Sequence, residues 1–121
     1  MKKIIIYSTI IFSIYNCNVV FKHTQLTNTS NFKMSNDTIF LNGAISKKTY
    51  KEFSKLFEKN LELKALVLED VPGSIDDDFN LRLGLLINSK GINTCLKSSS
   101  IIASGGIDLF LAGQKRSIKR C

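Results

Sequence analysis

The chain has 121 residues, one histidine and three cysteines, and 17 basic against 10 acidic residues give it a formal net charge of +7. That length argues for a single small domain and against several. The basic residues are scattered apart from a basic end, Lys115–Arg120. Zinc-finger spacing, a helix-turn-helix signature and an aromatic-basic RNA-binding pattern are all missing, so nucleic acid is not expected as a partner. A basic surface on an exported protein more often serves solubility or contact with the envelope.

Residues 1–21 read as a signal peptide or membrane anchor. Lys2-Lys3 supplies a positive start, and the apolar run Ile4–Tyr15 has signal-peptide length, short of the ~20 residues that span a bilayer. The run lacks amphipathic spacing, which argues against a helix buried in the domain. The expected location is therefore the cell envelope, with the membrane as a partner through the N-terminus. Three fates stay open: lipidation of Cys17 after Ser13-Ile14-Tyr15-Asn16, a cleaved soluble export signal, or an uncleaved anchor extended through Val19, Val20 and Phe21.

Residues 22–37 are dominated by Thr, Ser, Asn and Lys, with Leu26, Phe32 and Met34 too few and too irregular to build a buried face. The composition predicts an extended or disordered linker. Residues 38–121 then become regular. Thr38–Gly43 reads as a short strand, and Ser46 as the N-cap of a helix reaching about Asn60, with Tyr50, Phe53, Leu56 and Phe57 on one face and lysines over the rest. Leu63–Glu69 reads as a strand buried on both faces. After the Pro72-Gly73 turn, Asp76, Asp77 and Asp78 open a second helix, with Phe79, Leu83, Leu86 and Ile87 on a shared face and Gly91 as terminator. The three aspartates are explained by capping and the helix dipole, and no calcium-loop spacing surrounds them. Ile92–Leu96 is a third short strand, Ser98-Ser99-Ser100 a loop, and Ile101-Ile102-Ala103 a further apolar segment. This alternation predicts an α/β fold with a mainly parallel sheet and right-handed crossovers.

Two stretches carry chemistry. Val71-Pro72-Gly73-Ser74-Ile75-Asp76-Asp77 and Ile102-Ala103-Ser104-Gly105-Gly106-Ile107-Asp108 each run strand-like into a glycine break and then into a helix. Such breaks present backbone N–H groups at a helix start. The second break adds a serine hydroxyl, followed by two glycines that leave a substrate unobstructed. A nucleophile beside amide donors is what acyl transfer needs. Two plainer roles stand beside this one. Ser104 is also good helix-capping chemistry, and Asp108, one turn on, also suits a helix N-terminus.

From Ile39 to Ile118 the chain resembles the Clp protease proteolytic subunit and its crotonase-fold relatives, above all the small periplasmic Clp-protease-like proteins. The resemblance implies crotonase-type ββα repeats. It also implies Ser104 as nucleophile, with oxyanion N–H groups from Gly105 and from Gly73 or Ser74. The family's Pro-Gly-Gly turn departs here in its second glycine, which is Ser74. Leu111-Ala112-Gly113-Gln114-Lys115-Arg116 resembles the Ala-Gly and basic ending of the family's post-serine helix.

The activity implied by the resemblance is that of an exported serine hydrolase of peptidase type, acting on a peptide or acyl substrate without cofactor or metal. The resemblance also leaves room for a homo-oligomer. The family places its histidine base on a strand beyond the sequence's end at Cys121, and the lone His23 precedes the folded region. The alternative is therefore a catalytically inactive, truncated fragment or a membrane-tethered binding module. A crotonase relative handling acyl-CoA is a weaker third reading. Lys97 and Lys115 are the nearest lysines to serve as base, neither with a motif behind it. Cys95 and Cys121 either pair after export or leave Cys95 a buried thiol.

Overall fold

A computed structural model describes residues 30–119 and 121. The signal or anchor segment, Cys17 and His23 lie outside the described residues. Five strands form one sheet in chain order: β1 (Asn31–Ser35), β2 (Thr38–Asn42), β3 (Ala65–Val71), β4 (Asn93–Ile102) and β5 (Arg116–Ile118). β1 pairs antiparallel with β2, and the other three pairings are parallel. Three helices fill the connections: α1 (Lys47–Lys59), α2 (Asp77–Ser89) and α3 (Gly105–Ala112). The α/β class and mainly parallel sheet expected from the sequence are thus present.

β1 departs from expectation, because it lies inside the stretch read as a linker. Phe32 explains it. Its ring packs on Phe53 of α1 with centroids 5.9 Å apart, and the hairpin through Asn36, at φ 54°, returns the chain into β2. One aromatic contact and a turn residue that tolerates left-handed backbone were enough to order a segment with no apolar periodicity.

The helices form where capping and stripes coincide. Ser46 caps α1 in a reciprocal box with Thr49, and Phe53 is fully buried while Tyr50, Leu56 and Phe57 flank the core. Asp76 caps α2 by accepting from the Phe79 N–H, and Leu83 and Ile87 are fully buried. They meet Ile39, Leu41, Leu66 and Leu68 of the sheet, with Leu109 of α3 completing the core. The apolar face of α1 is packed on the sheet. Among the described residues, no helix is long and apolar enough to cross a membrane.

β4 is one strand where a short strand, a loop and an apolar segment were expected. Leu68 pairs with Leu96 but Asp70 with Ile101, so Lys97–Ser100 bulge outward opposite Glu69. Ser100 closes the bulge, its Oγ donating to the Leu68 carbonyl at 2.5 Å while accepting from the Lys97 N–H at 2.9 Å. The serines that read as a loop are the bulge, and the strand resumes beyond them.

On the sheet face opposite the core, Phe40, Val67 and Cys95 sit in register, and Cys95 is disulfide-bonded to Cys121. That bond ties the segment after β5 to the beginning of β4. Cys121→Ser is expected to lower stability by ~2 kcal/mol in chemical denaturation and to speed amide exchange in Arg116–Ile118.

Candidate functional site

β3 and β4 are parallel neighbours that end together, with Val71 opposite Ile102 and the Ala103 N–H donating to the Val71 carbonyl at 3.1 Å. The turns that leave them are therefore forced side by side at the carboxyl edge of the sheet, where α/β proteins place their ligands. A Cβ built on Gly73 would lie 3.3 Å from the Ser104 Cβ and 3.8 Å from its Oγ. A Cβ on Gly105 would lie 2.9 Å from the Ser74 Cβ. Gly73, Ser74, Ser104 and Gly105, picked out from sequence, are brought into one place.

Each turn is held by contacts that leave its amides unused. The loop before α1 braces the first turn: the Ile45 N–H donates to the Gly73 carbonyl at 2.9 Å and the Ile75 N–H to the Ile45 carbonyl at 2.8 Å. Gly73 has φ +144°, a region L side chains rarely adopt, which explains the glycine at this position. Among the described residues, no acceptor takes the N–H of Gly73, Ser74 or Gly105. The Ser74 hydroxyl instead donates to Asp77 Oδ1 at 2.5 Å. A serine at the turn's second position thus leaves the backbone in place and ties the turn to the first turn of α2.

Ser104 sits at φ 47°, ψ −121°, outside the regions open to an L-residue without strain, and its side chain makes no capping bond to α3. Helix capping is therefore not its role. An exposed serine held in strained backbone between a strand and a helix is nucleophile-elbow geometry. Holding it there costs on the order of 1–3 kcal/mol, which the surrounding pairing must offset.

The two glycines after Ser104 act differently from the sequence expectation. Both are buried, and their absent Cβ atoms point at protein rather than substrate: Gly105 against Asn80 and Ser74, Gly106 against the Val71 carbonyl at 2.7 Å. They let α3 start flush against β3 and α2.

Asp108 accepts from Asn80 Nδ2 at 3.2 Å, joining α3 to α2. Asn80 is 3% exposed, and its Oδ1 has no partner among the described residues. Sequence reasoning passed over this residue. The signal was available, because Asn80 lies three before Leu83 and seven before Ile87, a polar side chain on a buried stripe.

No family model matches the chain, and no match was found among curated proteins or solved structures.

Neither lysine considered as a base serves Ser104 in this arrangement. The Lys97 ammonium donates to Glu69 Oε1 at 2.9 Å and lies 4.5 Å from the Phe40 ring centroid, on the sheet face away from the helices. Lys115 is exposed beyond the far end of α3, its N–H donating to Asn93 Oδ1. Glu69 also accepts from Asn42 Nδ2, and these two hydrogen bonds, Lys97 first, hold its carboxyl below the ordinary value of 4.5. A lowered folded value means that the ionised ladder stabilises the protein above that pH and is lost as pH falls through the folded value. In urea titrations the gap between wild type and Glu69→Gln is expected to be widest above pH 4.5 and to close on further acidification.

Proposed function

We propose that the chain is an exported serine-hydrolase-like protein of the Clp-protease and crotonase type, with Ser104 as nucleophile and the amides of Gly105 and of Gly73 or Ser74 as oxyanion donors. One observation carries the reading: a strained, uncapped serine lies beside turn amides that donate to no acceptor among the described residues, at the carboxyl edge of a parallel sheet. In the reaction, Ser104 Oγ bonds to the acyl carbon and its proton passes through water to the departing amine or alcohol. The carbonyl electron pair moves onto an oxygen set against the amides. Collapse expels the protonated amine or alcohol, and water then releases the acid. The crotonase-type repeat belongs to the same proposal, supported by the β3 and β4 turns and by the Ala112-Gly113 ending of α3. There Gly113 packs on Thr94, and Arg116 donates to the carbonyls of Leu111 and Gly113. The envelope location is supported by the disulfide, which persists in oxidising compartments.

A second reading is a site that binds acyl groups without turning them over. It is favoured by the Ser104 hydroxyl, which meets no histidine or lysine among the described residues. A fluorophosphonate separates the possibilities, since its phosphorus traps an activated serine oxygen as fluoride departs with the proton. A stoichiometric adduct on Ser104 supports the hydrolase. An unreacted, folded full-length chain leaves the binding module.

A further inference from the structure

We infer that the cavity between α2 and α3 is a side-chain pocket for lysine, so that the acyl substrate attacked at Ser104 is a peptide that carries a lysine-like residue. This rests on the hydrolase reading for its chemistry but on separate observations for its specificity. The cavity holds about 280 Å³, near the small end of ligand pockets and suited to one side chain rather than a whole cofactor. Leu81, Gly84, Leu85 and Ala112 give it apolar walls; Asn80, Asn88 and Asp108 are the polar groups of the lining, and Asn88 Nδ2 is already committed to the Ala112 carbonyl. That is the complement of a lysine, an aliphatic stem ending in an ammonium.

The polar pair supplies what an ammonium requires. Asn80 Oδ1 is a buried acceptor with no partner among the described residues, and such a group calls for an explanation. Among the described residues, Asp108 receives the Asn80 amide and no cation. The neighbouring carboxylates are already committed: Asp76 caps α2, Asp77 accepts from Ser74, and Asp78 pairs with Arg82 at 2.8 Å. Asp108 is therefore the carboxylate left to take a ligand's charge, although the chain as a whole carries +7. The pair also lies at the reacting serine. Asn80 Nδ2 is 2.9 Å from where a Gly105 Cβ would stand, and the Asp108 N–H donates to the Ser104 carbonyl at 3.4 Å. A lysine side chain entering here would bring its ammonium beside the first turn of α3.

The test is a titration of the full-length, ¹⁵N-labelled chain with Nα-acetyl-lysine methylamide and with its norleucine counterpart, which has a similar stem and no charge. Saturable shifts at the Asn80 side-chain amide and Gly84 are expected, with the lysine ligand binding about tenfold tighter or better, and Asp108→Asn bringing the two within about twofold. Equal binding of the two ligands, or no binding of either, overturns the inference. Fluorophosphonate labelling of Ser104 in the same preparation reports on the hydrolase reading alone. Lysine-selective binding without labelling would leave the pocket standing and remove the hydrolase.

Discussion

Ser104→Ala is expected to abolish adduct formation with a fluorophosphonate while leaving the fold intact. The wild-type chain should gain one phosphonyl group, mapped by peptide mass to Ser104, and the alanine variant none over the same period. The hydroxyl is exposed and makes no cap, so alanine removes no folded-state hydrogen bond, and the unfolding free energy from urea titration should stay within ~0.5 kcal/mol of wild type. Ser104→Gly should go further. It also removes the side chain that makes φ 47° unfavourable, and stability should rise by ~1 kcal/mol as reactivity vanishes. Stability gained at the nucleophile's expense is the behaviour of a residue kept strained for its chemistry. Labelling that survives in Ser104→Ala would place the reactive oxygen elsewhere and remove the proposed activity.

Gly106→Ala is expected to give a large loss of stability among single-methyl changes, ~2–4 kcal/mol by urea denaturation. Its Cβ would stand 2.7 Å from the Val71 carbonyl, which already accepts from Ala103, and 3.1 Å from Val71 Cγ1. Backbone cannot swing aside as a flexible side chain can, so α3 must lift away from β3. That lift carries the Gly105 amide with it, and labelling of Ser104 should slow ~100-fold at temperatures where the variant remains folded. Gly84→Ala is the matched control. Its Cβ would meet Ala112 at an ordinary 3.5 Å inside a helix, where alanine is favoured, so the change should be neutral or stabilising by up to ~1 kcal/mol. Equal effects of the two substitutions would show that the contact at Val71 is softer than its geometry implies.

Much of the fold was legible because its signals are local. The stripes of α1 and α2, their caps at Ser46 and Asp76, and the apolar runs of β2 and β3 each stand within a dozen residues of sequence. The two turns of the candidate site were legible for the same reason, since a serine and glycines at strand-to-helix breaks announce themselves, and parallel pairing of β3 and β4 brings those turns together. The features that stayed hidden depend on partners far along the chain. β1 is ordered by Phe53, the β4 bulge by Leu68, and Asn80 acquires its role only when α3 brings Asp108 to it. The glycines after Ser104 were correctly singled out for the wrong reason, because a missing side chain says that something approaches closely and not what approaches.

The bulge at Lys97–Ser100 divides β4 into two mechanical units. Upstream of it the strand pairs with β5 and carries the disulfide, the bulge itself holds Lys97 on Glu69, and downstream Ile101 and Ile102 pair with Asp70 and Val71 and lead to Ser104. Ser100 is the joint between them, bonded to Lys97 on its own strand and to the Leu68 carbonyl across it, so the outer margin of the sheet and the corner that holds Ser104 are coupled through that hydroxyl.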